Sequence, residues 1–169
     1  HPLEALKEKL DGRDLHFETT VSKKQENPPL PYNLTVLLSD MSERFGFTAA
    51  ETQQITQDLR DKYKAIPYNR SDSQYLKEEH REQAPAVLAQ AMKNLGVRWP
   101  LDYRLHSKAF NDGNVTAHHG IIPQEADAPV SAMEPDEAKV YTAICERYAV
   151  QFLPPAVYDV SESTVSVDG

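Results

Sequence analysis

Apolar positions along this chain divide it into a helical body flanked by two strand-like ends. Leu3, Leu6 and Leu10 recur at helical spacing, and Asp11-Gly12 closes that short amphipathic pattern. Leu15, Phe17, Thr19 and Val21 then alternate, which predicts a strand over 15–21. Pro28, Pro29 and Pro31 make an extended linker, because proline fixes φ and removes a donor. Leu34, Leu37, Leu38, Met41 and Phe45 form one apolar stripe, a helix over 34–45 that Gly46 stops. Thr48 and Glu51 have capping-box spacing and open a second helix, through Ile55 and Leu59 to about Tyr63, with Pro67 as its breaker. Two further helices are expected at 75–83 and 86–95, with Pro85 near the start of the second and Gly96 after its end. Residues 99–116 read as irregular around the Asn111-Asp112-Gly113 turn, and 125–131 as loop. Pro135, Asp136 and Glu137 start a last helix, whose core face is Ala138, Tyr141, Ile144, Cys145, Tyr148 and Phe152. Pro154-Pro155 ends it, and 156–167 reads as strand, with Val165 and Val167 alternating. The fold class is therefore mainly α, with short β-strands at both ends.

Composition narrows the function classes. The 169 residues suit one domain with appendages, 40% are apolar and 26% charged, and no long low-complexity tract is present. No apolar run approaches the ~20 residues of a membrane helix, and no signal peptide is evident, so no membrane partner is expected. Cys145 is the lone cysteine, which excludes an internal disulfide framework; its apolar helical neighbours suggest a buried, inert thiol and a reducing compartment. The net charge of -8 counts against a simple nucleic-acid binder, so any DNA contact must be local or lean on positive charge elsewhere. The abrupt start at His1-Pro2 and stop at Val167-Asp168-Gly169 read like cuts within a longer protein.

The stretch Ala65 to Leu76 carries the chemistry. It places Tyr68, Arg70 and Asp72 at alternate positions in a turn-prone run. In a locally extended backbone these three side chains project to one side. A phenol is a nucleophile able to form a covalent intermediate, and a guanidinium matches a phosphodiester. The combination suggests attack on a nucleic-acid phosphate; the competing reading is an exposed loop that carries an Arg–Asp pair for solubility.

Three blocks in order resemble the central region of the type IA DNA topoisomerases, nearest the topoisomerase III branch. Pro28-Pro29-Leu30-Pro31-Tyr32-Asn33-Leu34 is similar to the family's proline-rich entry to a helical gate domain. Gln57-Asp58-Leu59-Arg60, followed by Ile66-Pro67-Tyr68-Asn69-Arg70-Ser71-Asp72-Ser73, resembles the active-site motif I-T-Y-P-R-[ST]-D-[SC]. Ser107-Lys108-Ala109-Phe110 and then Thr116-Ala117-His118-His119-Gly120-Ile121-Ile122-Pro123 are similar to the A-H-x-A-I-x-P block. Residues 141–154 resemble the helix that leads back into the arch domain. Pro67, Asn69 and Gly120 depart from the family's usual threonine, proline and alanine, and none of the three changes removes a reactive group. The family's Toprim domain, with its acidic metal site and a lysine near the scissile phosphate, has no counterpart here.

The resemblance implies a helical gate domain with arch-strand remnants at both ends: residues 1–32 as arch remnant and linker, 33–153 as the helical domain with the active-site tyrosine, and 154–169 as an arch strand. It implies that Tyr68 attacks a DNA phosphodiester and holds the 5′ end, and that the free 3′ hydroxyl reverses the step. A free phenol titrates near ~10, so something must take its proton or stabilise its anion. Arg70 is implied for electrostatic help, against the alternative of an ion pair with Asp72 or a nearby glutamate. His118 falls at the family's histidine, for phosphate binding or proton transfer, against a histidine held in the core by a backbone hydrogen bond. Asp72 would orient Arg70 or His118, Gln57 would contact DNA or the active-site loop, and Lys108 a backbone phosphate or merely solvent. His119 is grouped with Asp72, Gln57 and Lys108 as a supporting or DNA-binding residue, although it cannot share one strand face with His118. No cysteine or third histidine stands at ligand spacing, so no metal is assigned to these residues. Ser73 is expected to cap the following helix. Mg²⁺ is implied on the missing Toprim domain. The implied partners are single-stranded DNA and the remaining domains of the same polypeptide, in a bacterial cytoplasm, with a non-native dimer possible through cut arch strands. The fragment alone is expected to be inactive. A non-catalytic single-stranded DNA-binding or structural module is the alternative.

Overall fold

The computed structural model describes residues 2–13 and 15–167. His1, Asp14, Asp168 and Gly169, and so the outermost residues of the two ends that read as cuts, lie outside the described residues, as do the side chains of Leu15 and Val167. The elements run α1 (Pro2–Leu10), β1 (Leu15–Glu26), α2 (Leu34–Phe45), α3 (Ala49–Asp61), α4 (Glu78–Leu95), α5 (Pro135–Ala149) and β2 (Ala156–Val167), with short 3₁₀ turns at Asp112–Asn114, Val130–Ala132 and Val150–Phe152. The chain forms two compact units, one holding α1, β1 and β2, the other residues 27–154.

In the first unit β1 and β2 pair antiparallel along their whole length, from Leu15 opposite Val167 to Glu26 opposite Ala156. The first strand is longer than its alternating pattern predicts. Backbone pairing with β2 carries it through the charged run Lys23–Glu26, where side-chain alternation has faded. Phe17, Val21, Val157, Tyr158 and Val165 on the ribbon, and Leu3 and Leu6 on α1, remain exposed.

The second unit is built around α5, whose Val140, Tyr141, Ile144, Cys145 and Tyr148 are buried. On one side α2 and α3 supply Leu37, Met41 and Leu59, joined by Ile66 and Ile121. On the other, Leu76, Ala84, Leu88, Phe110 and Ile122 pack with Tyr148 and Phe152. Burial pushes the Cys145 thiol well above the ordinary range, which keeps it protonated. Asn33 caps α2 by accepting from the Val36 N–H, and left-handed Gly46 ends it. The Thr48–Glu51 capping box opens α3.

Three expectations are corrected. Residues 75–83 and 86–95 do not form two helices. One helix, α4, runs through Pro85, although an interior proline costs about 3 kcal/mol. The burial of Ala84, Leu88 and Ala91 offsets that cost. The helix also starts later than expected, because Leu76 is held extended by Ala109 and Asn111. Ser73 does not cap it, since its Oγ accepts from the Tyr75 N–H, 3.1 Å away. Distant Asp112 serves instead, its Oδ1 accepting from Glu78 N–H at 2.9 Å. The helix α3 ends at Asp61 with Lys62 as its cap, close to the expected Tyr63, and the chain turns at Lys64, a non-glycine residue in the left-handed region at φ 53, ahead of Pro67.

Candidate active site

Residues 68–72 cross the surface with alternating burial. Asn69 and Ser71 are buried, Arg70 and Asp72 are exposed, and Tyr68 is half-buried. The inward residues anchor the segment. Asn69 receives Arg60 Nη1 on its Oδ1 and donates from Nδ2 to Thr56 Oγ1 and Gln57 Oε1, each at 3.3 Å, all three partners lying on α3. Ser71 Oγ donates to the His119 carbonyl at 2.5 Å, and the Ser71 carbonyl accepts from Leu34 N–H at 2.8 Å. One segment is thus tied to α3, to the start of α2 and to the 118–120 stretch at once.

With the inward side pinned, the outward side chains are presented together. The rings of Tyr68 and His118 stack with centroids 4.4 Å apart and planes 14° from parallel. His118 Nδ1 stands 4.0 Å from Asp72 Oδ1, and the His118 side chain keeps 42% of its surface open to solvent. A substrate group can therefore reach the pair. The phenol and the imidazole meet face to face, and the Asp72 carboxylate stands beyond the imidazole, so three groups able to exchange protons gather at one accessible spot.

Gly120 makes this arrangement possible. Its N–H donates to the Tyr75 carbonyl at 2.8 Å. A Cβ at this position would meet Pro31 Cβ at 3.0 Å and the Gln74 backbone at 3.3 Å. The 118–120 stretch thus lies against both the linker and the strand-like run after Asp72.

The remaining residues singled out in the sequence divide. Arg70 is exposed, and among the described residues it makes no hydrogen bond or ion pair, with Asp72 or with any glutamate. Gln57 contacts the active-site loop through Asn69 and also donates to Asp61. Lys108 is exposed beside a polar hollow shared with Tyr75, Ser107, Asn111 and Asn114. His119 points away from His118: its Nδ1 donates to the Gly120 carbonyl at 2.8 Å, and its ring packs 4.2 Å from that of His80. The sequence reading missed Asn69, Arg60 and Ser71 as the residues that hold the segment. The signal was the same period-two alternation that picked out Tyr68, Arg70 and Asp72, read for its other face. Among the described residues no group of three His, Cys, Asp or Glu side chains gathers as a metal site would require, so the donor set here does not fit a Mg²⁺ ion.

The comparison with known proteins decides the family. Residues 3–169 match the family described as DNA topoisomerase. The chain belongs to that family. It is 38% identical over 156 residues to the DNA topoisomerase 3 of Vibrio cholerae, covering 90% of this chain and 24% of that protein. It is 32% identical over 171 residues to the DNA topoisomerase 3 of Shouchella clausii, covering 97% of this chain and 24% of the relative. The chain thus spans about a quarter of the length of these topoisomerases. Full-length topoisomerase I of Thermotoga maritima shares the fold, with a TM-score of 0.64 at 20% identity over 97% of this chain and 29% of that one. The resemblance of the three sequence blocks to the type IA topoisomerases, topoisomerase III branch, holds accordingly.

Proposed function

We propose that this chain is the tyrosine-bearing gate region of a type IA DNA topoisomerase, an isomerase that cuts one strand, passes another through the gap and reseals. The Tyr68 oxygen bonds to the phosphorus of a backbone phosphodiester, and the 3′ oxygen leaves as a hydroxyl after taking a proton. Reversal restores the strand without external energy. The observation that carries this reading is the Tyr68–His118 stack with Asp72 behind it, solvent-accessible and fixed from beneath by Asn69 and Ser71.

Each residue has a role in this reading. His118 receives the phenolic proton or hydrogen-bonds the phosphate, and Asp72 orients the imidazole. Arg70, unpaired among the described residues, meets the charge that builds on the phosphate. Gln57 and Asn69 are positioning residues. Lys108 and Tyr75, on one polar hollow, offer a phosphate contact and a stacking face to single-stranded DNA. His119 faces the opposite side and supports the segment. The Mg²⁺ that the family resemblance implies would be held by a Toprim domain outside these residues and would supply charge neutralisation at the phosphate. The helical unit corresponds to the gate, and the β1–β2 ribbon to part of the arch. No helix among the described residues is long and apolar enough to cross a membrane. Work on cytoplasmic DNA in a bacterium fits the reading.

The test is an adduct assay. The longer protein is incubated with a labelled single-stranded oligonucleotide and quenched in denaturant. A covalent protein–DNA band is expected, absent in Tyr68→Phe and absent with this chain alone. An adduct that survives Tyr68→Phe overturns the assignment. No adduct from the intact longer protein favours a module that binds single strands without cutting them.

A further inference from the structure

Behind the tyrosine site lies a cavity of about 300 Å³, walled by Pro67, His80, Val87, His119, Ile122 and Pro123. Pro67 precedes Tyr68 and His119 follows His118, so the cavity and the Tyr68–His118 stack share two short stretches of backbone as a common wall. Its volume is at the small end of ligand pockets, and its lining is mixed, with apolar Val87, Ile122 and the two prolines alongside the two histidines, Gln83 and Gln124.

The two histidines give the cavity a polarity. The His80 ring lies 4.2 Å from that of His119, inclined by 48°. His80 Nδ1 accepts from the Lys77 N–H at 3.0 Å, which leaves the proton of the neutral ring on Nε2. His119 Nδ1 faces the Gly120 carbonyl at 2.8 Å and must donate to it, which makes Nε2 the acceptor of its neutral ring. Neither Nε2 has a hydrogen-bond partner among the described residues. Burial, with the His119 ring beside it, pushes the His80 imidazole down to about 4, so it stays neutral near pH 7. Glu125 also lines the cavity, and no lysine or arginine does. A bare phosphate therefore finds no fixed cation, whereas a flat heterocycle finds apolar faces and, on the two histidine rings, one spare donor and one spare acceptor beside the Gln83 and Gln124 amides.

We propose that this cavity is a nucleobase subsite, in which one base stacks between the apolar walls and hydrogen-bonds the His80 and His119 Nε2 atoms through its edge. The base comes from the DNA strand handled at Tyr68 or from a free nucleotide; only the first source rests on the function proposed above. An occupant there touches the back of the wall that carries Tyr68 and His118, which couples its presence to the geometry of the site.

The experiment observes the ring carbon-bound protons of His80 and His119 by NMR in this chain, assigned with His80→Asn and His119→Asn. Deoxynucleoside monophosphates are expected to shift both sets of signals saturably, with a Kd of about 1 mM, and deoxyribose 5-phosphate to shift neither. Ala86→Trp, a substitution at an exposed lining residue of α4, fills the cavity and weakens binding at least about tenfold. Gln83→Trp does the same should that variant fail to fold, and the deoxyribose 5-phosphate comparison decides should both fail. An oligonucleotide shift that vanishes with one abasic position assigns the base to the strand. Shifts from mononucleotides and none from oligonucleotides assign it to a free nucleotide. No shift by about 10 mM, an equal shift from deoxyribose 5-phosphate, or binding indifferent to folded rim variants overturns the proposal. Adduct formation is read separately in the longer protein, so the failure of either reading leaves the other standing.

Discussion

The Tyr68 phenol lies against the His118 imidazole, ring centroids 4.4 Å apart and planes 14° from parallel. The two residues are brought together because Ser71 donates to the His119 carbonyl, which docks the tyrosine segment on the histidine stretch. Adduct formation by the longer protein should then depend on His118 as well as Tyr68. His118→Ala is expected to slow the appearance of adduct by roughly 10²–10⁴-fold, with oligonucleotide affinity unchanged where His118 takes the proton and weakened where it hydrogen-bonds the phosphate. A His118→Ala protein that forms adduct at the wild-type rate would exclude His118 from proton transfer.

Asn69 is buried beneath the tyrosine, and three α3 side chains hydrogen-bond to it. Truncation strands those partners. Asn69→Ala is expected to destabilise the chain by about 1–3 kcal/mol in denaturant unfolding, and to slow adduct formation in the longer protein beyond what lost stability explains. Arg60→Ala should reproduce a smaller part of both effects. Unchanged unfolding midpoints for Asn69→Ala would mean the network contributes nothing.

His80 sets a pH dependence. Its pKa falls from 6.5 to about 4, chiefly through burial and then through the neighbouring His119, with the Lys77 charge adding to the fall and Glu79 and the Lys77 backbone hydrogen bond opposing it. The unfolded chain therefore binds more protons between these two values, and stability rises with pH across that window. The stability present above pH 6.5 is lost as pH falls towards 4. Urea midpoints measured from pH 7.5 down to 4.5 should decline, and His80→Asn should flatten the decline. An equally steep decline in the variant would assign the effect to other groups.

Gly120 lies where backbone segments cross. A Cβ would sit 3.0 Å from Pro31 Cβ and 3.3 Å from the Gln74 backbone. Gly120→Val is expected to destabilise by about 1–3 kcal/mol and to lower the melting temperature, because the proline and the backbone cannot move aside freely. Gly120→Ala should lose less, since its neighbours need to give by only a few tenths of an ångström. A Gly120→Val chain as stable as the parent would show that the linker yields.

Local chemistry made several features legible. The α2 bounds follow from its apolar stripe and Gly46, and the start of α3 from the Thr48–Glu51 box, because capping and amphipathic spacing act within a few residues. The α4 start was not legible. It depends on Leu76 pairing beside Phe110 and on Asp112 accepting from Glu78, partners more than thirty residues apart. Pro85 reads locally as a boundary, yet burial of the residues around it keeps one helix intact.

By itself the sequence determined which chemical groups are present and which side of residues 68–72 each would take, since an extended backbone alternates its side chains whatever surrounds it. Only the tertiary structure decided that Tyr68 meets His118, that Asp72 stands by His118 while Arg70 is left to solvent, and that His119 turns to His80. Those pairings join residues far apart in the chain. They are fixed by the packing of α3 and by the close approach at Gly120, which no short stretch of sequence encodes.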